Sequence, residues 1–366
     1  MLRRESELAL YVCEEGFDYG GQQYTRRGVF AAVGLEPWDR DVVLPHEHTL
    51  PKPKADRLSL LRATQTQLSP IISFFDDPDG SHRSWLDTVL TQSPDATASL
   101  PAGSVVEAAS NHRLWVVNDA RACRFLEEAM RTRQLFIADG HHRYETALAY
   151  QQERRHAIAS SDRQPWDAVM MLLVASEDPG LKILPIHRVV KAPKSLDVDR
   201  FLAELQLQFD VRWTSPDTVI SAMSAFDGEV GDAGGSDKHL FGLFGARSGQ
   251  GALVSLKPGV RLEDELSAPS TAAWRSLDVA VLHSLILGPM LGIGTQEIAS
   301  QQYVTYERDA NAALRALDRG ADLVFLMRPT LVSQVREVAL AHDRMPQKST
   351  FFYPKAVTGL VMYPLS

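Results

Sequence analysis

The sequence predicts a mixed α/β (α+β) fold in two domains, and three observations predict it. Short apolar runs rich in β-formers alternate with longer segments of 3.6-residue periodicity along the whole chain. The first two runs flank Gly20-Gly21, the signature of a hairpin and so of antiparallel pairing. At 366 residues the chain exceeds one typical domain, and its character changes at 189–197, VVKAPKSLD. The expected division is therefore residues 1–190 and residues 191–366.

In chain order, Leu8–Glu14 alternates in part, Asp18–Gln22 carries the Gly-Gly turn and Arg27–Leu35 returns as the second strand. Pro45, Pro51 and Pro53 then exclude a helix and stiffen a loop. A short helix is expected from Ala55, with Leu58, Leu61 and Arg62 on one face. Ile71–Phe75 reads as a buried strand, and residues 77–104, polar and broken by Pro and Gly, as a surface excursion. Asn111–Val117 is a strand and Asp119–Arg133 a helix with Ala122, Leu126 and Met130 inward. Leu135–Ala138 is a strand, followed by a helix that ends near Ile158 and a strand over Ala168–Ala175.

Past the boundary, Val198–Phe209 is an amphipathic helix, Val211–Thr214 a strand and Ser215–Phe226 a helix capped by Ser-Pro-Asp. The stretch 228–237, GEVGDAGGSD, reads as a mobile connector rather than a phosphate cradle. His239–Phe244 and Ala252–Leu256 form a strand pair. Helices are expected at Trp274–Leu287, Arg308–Arg319 and Leu331–His342, and strands at Tyr303–Tyr306, Leu323–Met327, Thr350–Tyr353 and Leu360–Tyr363.

Composition narrows the function classes. With 45% hydrophobic and 23% charged residues the chain has the make-up of an ordinary soluble globular protein. No apolar run approaches the roughly 18 residues of a membrane span, and the N-terminus has no signal-peptide core. Two cysteines without a CxxC pattern argue against a disulfide framework and a thiolate metal site, and fit a reducing cytoplasm. A net charge of −8 argues against nucleic acid as the main partner. It leaves room for a small anionic substrate if positive charge is gathered locally.

The most informative stretch is Leu135–Tyr150, LFIADGHHRYETALAY. Four apolar residues suit a buried strand, Asp139-Gly140 turns the chain, and Tyr144, Ala147, Leu148 and Gln151 fall on one helical face. His141, His142 and Arg143 crowd the first turn of that helix, where unpaired N–H groups and the macrodipole already supply positive charge. Each cation placed there costs roughly 0.3–1 kcal/mol. An anion bound at that end, a phosphate above all, offsets the cost. Asp139 would cap the helix or hold a metal, and Gly140 would let the backbone approach a ligand.

Two further segments carry candidates. In PHEHTLPKPKADR, residues 45–57, Glu47 stands between His46 and His48 with Lys52, Lys54 and Arg57 downstream. A carboxylate in basic surroundings stays ionised and can serve as a general base or hold a divalent ion; the competing reading is a solvated charged loop. In MPQKSTFFYPK, residues 345–355, Lys348, Ser349 and Thr350 offer a cation and two hydroxyls to an anionic ligand, or simply open a strand. A zinc site from His46, His48, His141 and His142 is disfavoured, because adjacent histidines do not readily converge on one ion. His187 and Arg188 read as a core pair, and Asp278 and His283, five apart, do not share a helical face. There is no nucleophile elbow, P-loop or strand-linked GxGxxG.

Four segments together, PHEHTLPKPKADRLSLLRAT, FIADGHHRYETAL, SLDVAVLHSLIL and MPQKSTFFYPK, resemble the prokaryotic family known as domain of unknown function 1015, over essentially the whole chain. Members of that family usually carry a further segment before the first hairpin, so the resemblance implies either a shortened gene product or a misassigned start. The loop glutamate followed by strand, DGHHR turn and helix is more distantly similar to the ParB/sulfiredoxin-like fold, especially the free-serine kinases built on it. That resemblance implies a ParB/sulfiredoxin-like N-terminal portion with an additional C-terminal α/β domain. It also implies Glu47 as the base for a hydroxyl and Asp139, Gly140, His141, His142 and Arg143 as the nucleotide phosphate site. The charges and hydroxyls of the two flanking segments make His46, Lys54, Arg57, Lys348, Ser349 and Thr350 the candidate substrate contacts.

The expectation from the sequence is thus phosphoryl transfer between ADP or ATP, with Mg²⁺, and a small hydroxyl metabolite, free L-serine being the best named candidate. The alternatives are a nucleotide-binding regulator of ParB-like type and a small-molecule phosphatase.

Overall fold

The computed structural model describes residues 3–101, 110–158, 162–225, 239–265 and 270–365. The expected connector at 228–237 lies outside them. The chain is mixed α/β and divides into two compact units, Met1–Lys182 with Phe352–Ser366, and Ile183–Phe351. This differs from the expected boundary at 190 in two respects. The strand His187–Val190 belongs to the sheet of the second unit, and the last residues return to the first.

The first unit is built on one mixed eight-stranded sheet. Its order is Val43–Leu44, Leu135–Asp139, Ile71–Phe75, Ala168–Ala175, Gln22–Gly34, Leu10–Tyr19, Ser110–Val117, Ala96–Leu100. The hairpin forms as its glycines demand, with Gly20 and Gly21 both at positive φ. Val29, Ala31 and Val33 share one face of their strand, since alternate residues point the same way. Ala31 and Val33 pack with Tyr144 and Ala147 of the helix His141–Ala157. Val29 packs with Trp85, Leu86 and Leu126 of the helices Ser81–Leu90 and Ala120–Met130. Three helices therefore cover this face. Phe74, on the other face of its strand, stacks with Phe136 and Phe352.

Two expectations fail here for identifiable reasons. The prolines do not exclude a helix: one runs from Pro51 to Thr64 with proline in its first turn, where the missing N–H has no intrahelical partner to lose. Residues 77–104 are not merely a surface excursion, because Ser81–Leu90 is a helix burying His82, Trp85, Leu86 and Val89 at i, i+3, i+4, i+7. Asp77 accepts the His82 and Arg83 amides at 3.1 and 3.0 Å, closing that helix's N-terminus.

The second unit carries an antiparallel six-stranded sheet ordered Phe209–Thr214, Gly251–Leu256, Leu240–Phe244, Leu323–Leu326, His187–Val190, Val304–Glu307. Val219, Met223, Ala313 and Ala316 bring two helices onto it. The helix expected over Trp274–Leu287 is instead two short helices, Ala272–Arg275 and Asp278–Val281, the second running into a π-helical segment over Leu282–Leu287. Among the described residues no helix is long and apolar enough to cross a membrane.

Candidate phosphate site

The site is fixed by a two-residue strand. Val43 and Leu44 pair in parallel with Leu135 and Phe136, so both chains leave the sheet at the same end. Three residues beyond Leu44 is Glu47; three beyond Phe136 is Asp139. Parallel register thus carries the loop glutamate to the DGHHR turn although 92 positions separate the two along the chain.

The turn begins with Asp139 as the last strand residue and Gly140 at φ 108°, from which the helix starts at His141. A β-carbon at Gly140 would stand 2.8 Å from Arg143 Nε, so only glycine meets both the conformation and the space. Among the described residues no side chain caps this helix. The first intrahelical bond is Tyr144 N–H to the Gly140 carbonyl at 3.0 Å, so the amides of the first turn face the site with the positive end of the helix dipole.

The expected helix-capping role of Asp139 is not what the geometry gives. Its Oδ2 accepts from Arg143 at 2.5 Å and its Oδ1 from Lys355 at 2.5 Å. Burial pushes the Asp139 carboxyl up, but Lys355 and Arg143 together outweigh it and hold the group below the usual carboxylate value. With both oxygens in ion pairs, Asp139 is not disposed as a metal ligand. Among the described residues no group of three or more His, Cys, Asp or Glu could hold a metal ion.

The two histidines hold the loop to the helix. His141 is buried, and its Nε2 accepts the His46 backbone N–H at 3.3 Å. That leaves the ring proton on Nδ1, which faces Glu47 Oε2 at 3.8 Å. The buried His46 ring meets His141 edge-on, centroids 4.6 Å apart. His142 Nε2 accepts the Leu50 amide at 2.9 Å. Burial, then Arg57 and Lys54, lower the His142 pKa. His142 is therefore an uncharged acceptor at neutral pH, and the cation of the first helical turn that pairs with a carboxylate is Arg143.

Glu47, Arg57 and the five residues Asp139 to Arg143 line one cleft of about 190 Å³. Arg57 is exposed and makes no ion pair among the described residues. Lys54 is engaged elsewhere, on Glu145 at 2.8 Å, where Thr49 also donates at 2.6 Å. Burial raises Glu145, but its bonds from Lys54 and Thr49 hold it low. Lys348, Ser349 and Thr350 belong to the second unit, where the Lys348 carbonyl accepts from Arg188 at 2.9 Å and Ser349 Oγ donates to the Pro346 carbonyl at 2.5 Å. Sequence reasoning did not assign Lys355 or Glu145 to the site. Glu145 sits four residues after His141 on the same helix, a signal that was available; Lys355 ends the segment MPQKSTFFYPK that the sequence singled out, but nothing there showed its pairing with Asp139, 216 positions away.

No curated protein matches the chain. Among solved structures it is similar to a free serine kinase mutant in complex with ADP, at 13% identity and a TM-score of 0.40 over 90% of this chain and 91% of that one. It is similar also to a free serine kinase in complex with AMP, at 14% and 0.38 over 90% of each chain. A third is SbnI with C-terminal truncation from Staphylococcus aureus, at 12% and 0.40 over 92% of this chain and 87% of that one. At such values the likeness carries no functional argument. A family model, described as Protein of unknown function (DUF1015), matches residues 1–280. That match spans most of the chain, including the hairpin, the Glu47 loop and the DGHHR turn, and the protein belongs to the DUF1015 family.

Proposed function

We propose that the first unit transfers a phosphoryl group between ADP or ATP and a small hydroxyl metabolite, with free L-serine as the candidate to try first. The observation that carries this reading is that Glu47 lines the same cleft as the DGHHR turn, its carboxylate 3.8 Å from the His141 ring. A base must reach its proton directly or through one water, and a phosphate seated on the helix N-terminus would lie between the two.

In this scheme the Glu47 carboxylate takes the hydroxyl proton as the oxygen forms its bond to the terminal phosphorus. The bond from that phosphorus to the nucleotide oxygen breaks, and the released oxygen keeps the electron pair. Arg57, Arg143 and the first-turn amides answer the charge on the phosphate oxygens, since such catalysis needs positioning and neutralisation above all. At about 190 Å³ the cleft is smaller than the roughly 300–1,000 Å³ of most ligand pockets. It suits the phosphate end of a nucleotide, with base and ribose held outside it.

Phosphorus NMR of the protein with L-serine, Mg²⁺ and ADP or ATP tests the reading; phosphoserine should appear. Glu47→Gln should cut turnover by about 10²–10⁴-fold while nucleotide affinity is kept. Undiminished turnover in Glu47→Gln would remove the assigned base. Nucleotide binding without turnover, accompanied by a change of oligomeric state, would favour the regulator, and phosphate release without serine the phosphatase.

A further inference from the structure

The second unit contains a cavity of about 230 Å³ that the phosphoryl-transfer reading does not use. One wall is Arg188, whose side chain is almost wholly buried. Among the described residues its Nη atoms donate only to main-chain carbonyls, those of Ile186 and Lys348, and its buried Nε has no hydrogen-bond partner. The side chain stands over the Tyr306 ring at 5.5 Å, and the buried His283 feels its charge. No carboxylate pairs with it among the described residues. A buried guanidinium without a counter-charge is costly, and natural folds rarely leave one so.

Another charged group of the lining is already balanced. Asp278 accepts from Arg328 through both oxygens, Nε to Oδ2 at 2.7 Å and Nη2 to Oδ1 at 3.0 Å. The same Oδ1 lies 3.0 Å from His239 Nδ1. Asp278 answers Arg328, and the charge left unanswered in the cavity is that of Arg188.

We propose that this cavity binds a small monocarboxylate whose planar anionic group pairs with Arg188. The flat fork of a guanidinium matches a carboxylate in two parallel hydrogen bonds. One unanswered positive charge calls for one negative charge. A phosphate dianion would bring a second, placed against the fixed Asp278 carboxylate in a poorly solvated space. The cavity's size limits the guest to a few heavy atoms beyond the carboxylate. This site does not depend on the phosphoryl-transfer reading, and either can fail without the other.

Isothermal titration of the full chain with acetate, L-lactate, inorganic phosphate and methylammonium tests it. Acetate or L-lactate should bind at one saturable site, and phosphate and methylammonium more weakly. Arg188→Met should weaken carboxylate binding at least about tenfold. Because Arg188 is buried and that variant can misfold, Ser276→Trp serves as the second: Ser276 lines the cavity and is itself exposed, so a large ring there should take up cavity space at little cost to the fold. Ser276→Trp should keep the wild-type melting temperature and lose carboxylate binding, which also separates this site from anion binding at the DGHHR turn. The proposal is overturned if neither carboxylate binds at tens of millimolar, if phosphate binds more tightly than both, or if a normally melting Ser276→Trp protein binds them like wild type.

Discussion

His142 Nε2 accepts the backbone N–H of Leu50 at 2.9 Å, and through this bond the helix that starts at the DGHHR turn holds the loop that carries Glu47. The bond requires an unprotonated Nε2. The fold accordingly favours neutral His142, whose pKa is lowered by burial and by the charges of Arg57 and Lys54. A lowered histidine contributes stability above its ordinary value of about 6.5 and loses it as pH falls through the lowered folded value. The Leu50 amide should therefore show a high protection factor in hydrogen exchange at pH 7.5 that collapses in mild acid. In His142→Phe it should be low at both. An unchanged protection factor in that variant would mean the loop is held by other contacts.

Gly140 is the least replaceable residue of the turn. At φ 108° an alanine is strained whatever the space, and its β-carbon would stand 2.8 Å from Arg143 Nε and 2.9 Å from Nη2. Arg143 would have to leave Asp139, to which it donates at 2.5 Å. Gly140→Ala should cost about 1–3 kcal/mol in urea unfolding and weaken nucleotide binding in proportion to the displacement of Arg143. A variant with wild-type stability and affinity would show that the turn relaxes without consequence.

What could be read from the sequence was local. The hairpin, the strand before DGHHR and the helix after it follow from turn chemistry and periodicity within a dozen residues. The basic character of the turn was visible, but not that its histidines would accept amides from 46 and 50, because those partners lie over ninety positions away. The strand pairing that brings Glu47 to the turn was not visible either, since Val43–Leu44 is too short to show a strand pattern; only the family resemblance put the two together. The helix Ser81–Leu90 is a different kind of miss. Its burial pattern was in the sequence, masked by the Asp-Asp-Pro-Asp-Gly punctuation ahead of it, which turned out to be the helix's own N-terminal closure. Lys355 and the His239–Asp278–Arg328 group depend on tertiary return of the chain and had no local signature.

His82 offers a gain rather than a loss. It is buried against Phe75, and among the described residues neither ring nitrogen has a hydrogen-bond partner. Burial drives its pKa down to about 4, against a smaller upward pull from Asp77. The unfolded chain therefore binds a proton between about pH 6.5 and 4 that the native state refuses, so stability falls with pH in that window, by on the order of 3 kcal/mol for this residue. Asp178, raised by burial to about 6, works in the opposite sense and offsets part of the trend. His82→Leu keeps the volume nearly constant and removes two unsatisfied nitrogens, so it should raise stability at pH 7 by about 1 kcal/mol. It should also flatten the dependence of the urea midpoint on pH between 6.5 and 4. A destabilised variant with the same pH slope would show that the ring is satisfied in solution.

The pair Arg26 and Glu15 bears on how the C-terminal segment is held. Both side chains are buried on neighbouring strands of the hairpin, and Arg26 Nη2 donates to Glu15 while Nη1 donates to the Pro354 carbonyl at 2.8 Å. Buried ion pairs add little net stability when intact, because desolvation cancels most of the attraction, but removing one partner strands the other charge. Arg26→Met should therefore cost about 3–5 kcal/mol, more than its packing alone, while also releasing the backbone ahead of Lys355. Replacing both, Arg26→Met with Glu15→Gln, should recover part of that loss, since no uncompensated charge remains. The two effects separate experimentally: part of the stability in urea should return in the double variant, whereas the contact of Lys355, next along the chain from Pro354, to Asp139 should not. Recovery of both nucleotide affinity and stability would show that Arg26 acts on the site only through global folding; recovery of stability alone would assign it the placement of Lys355.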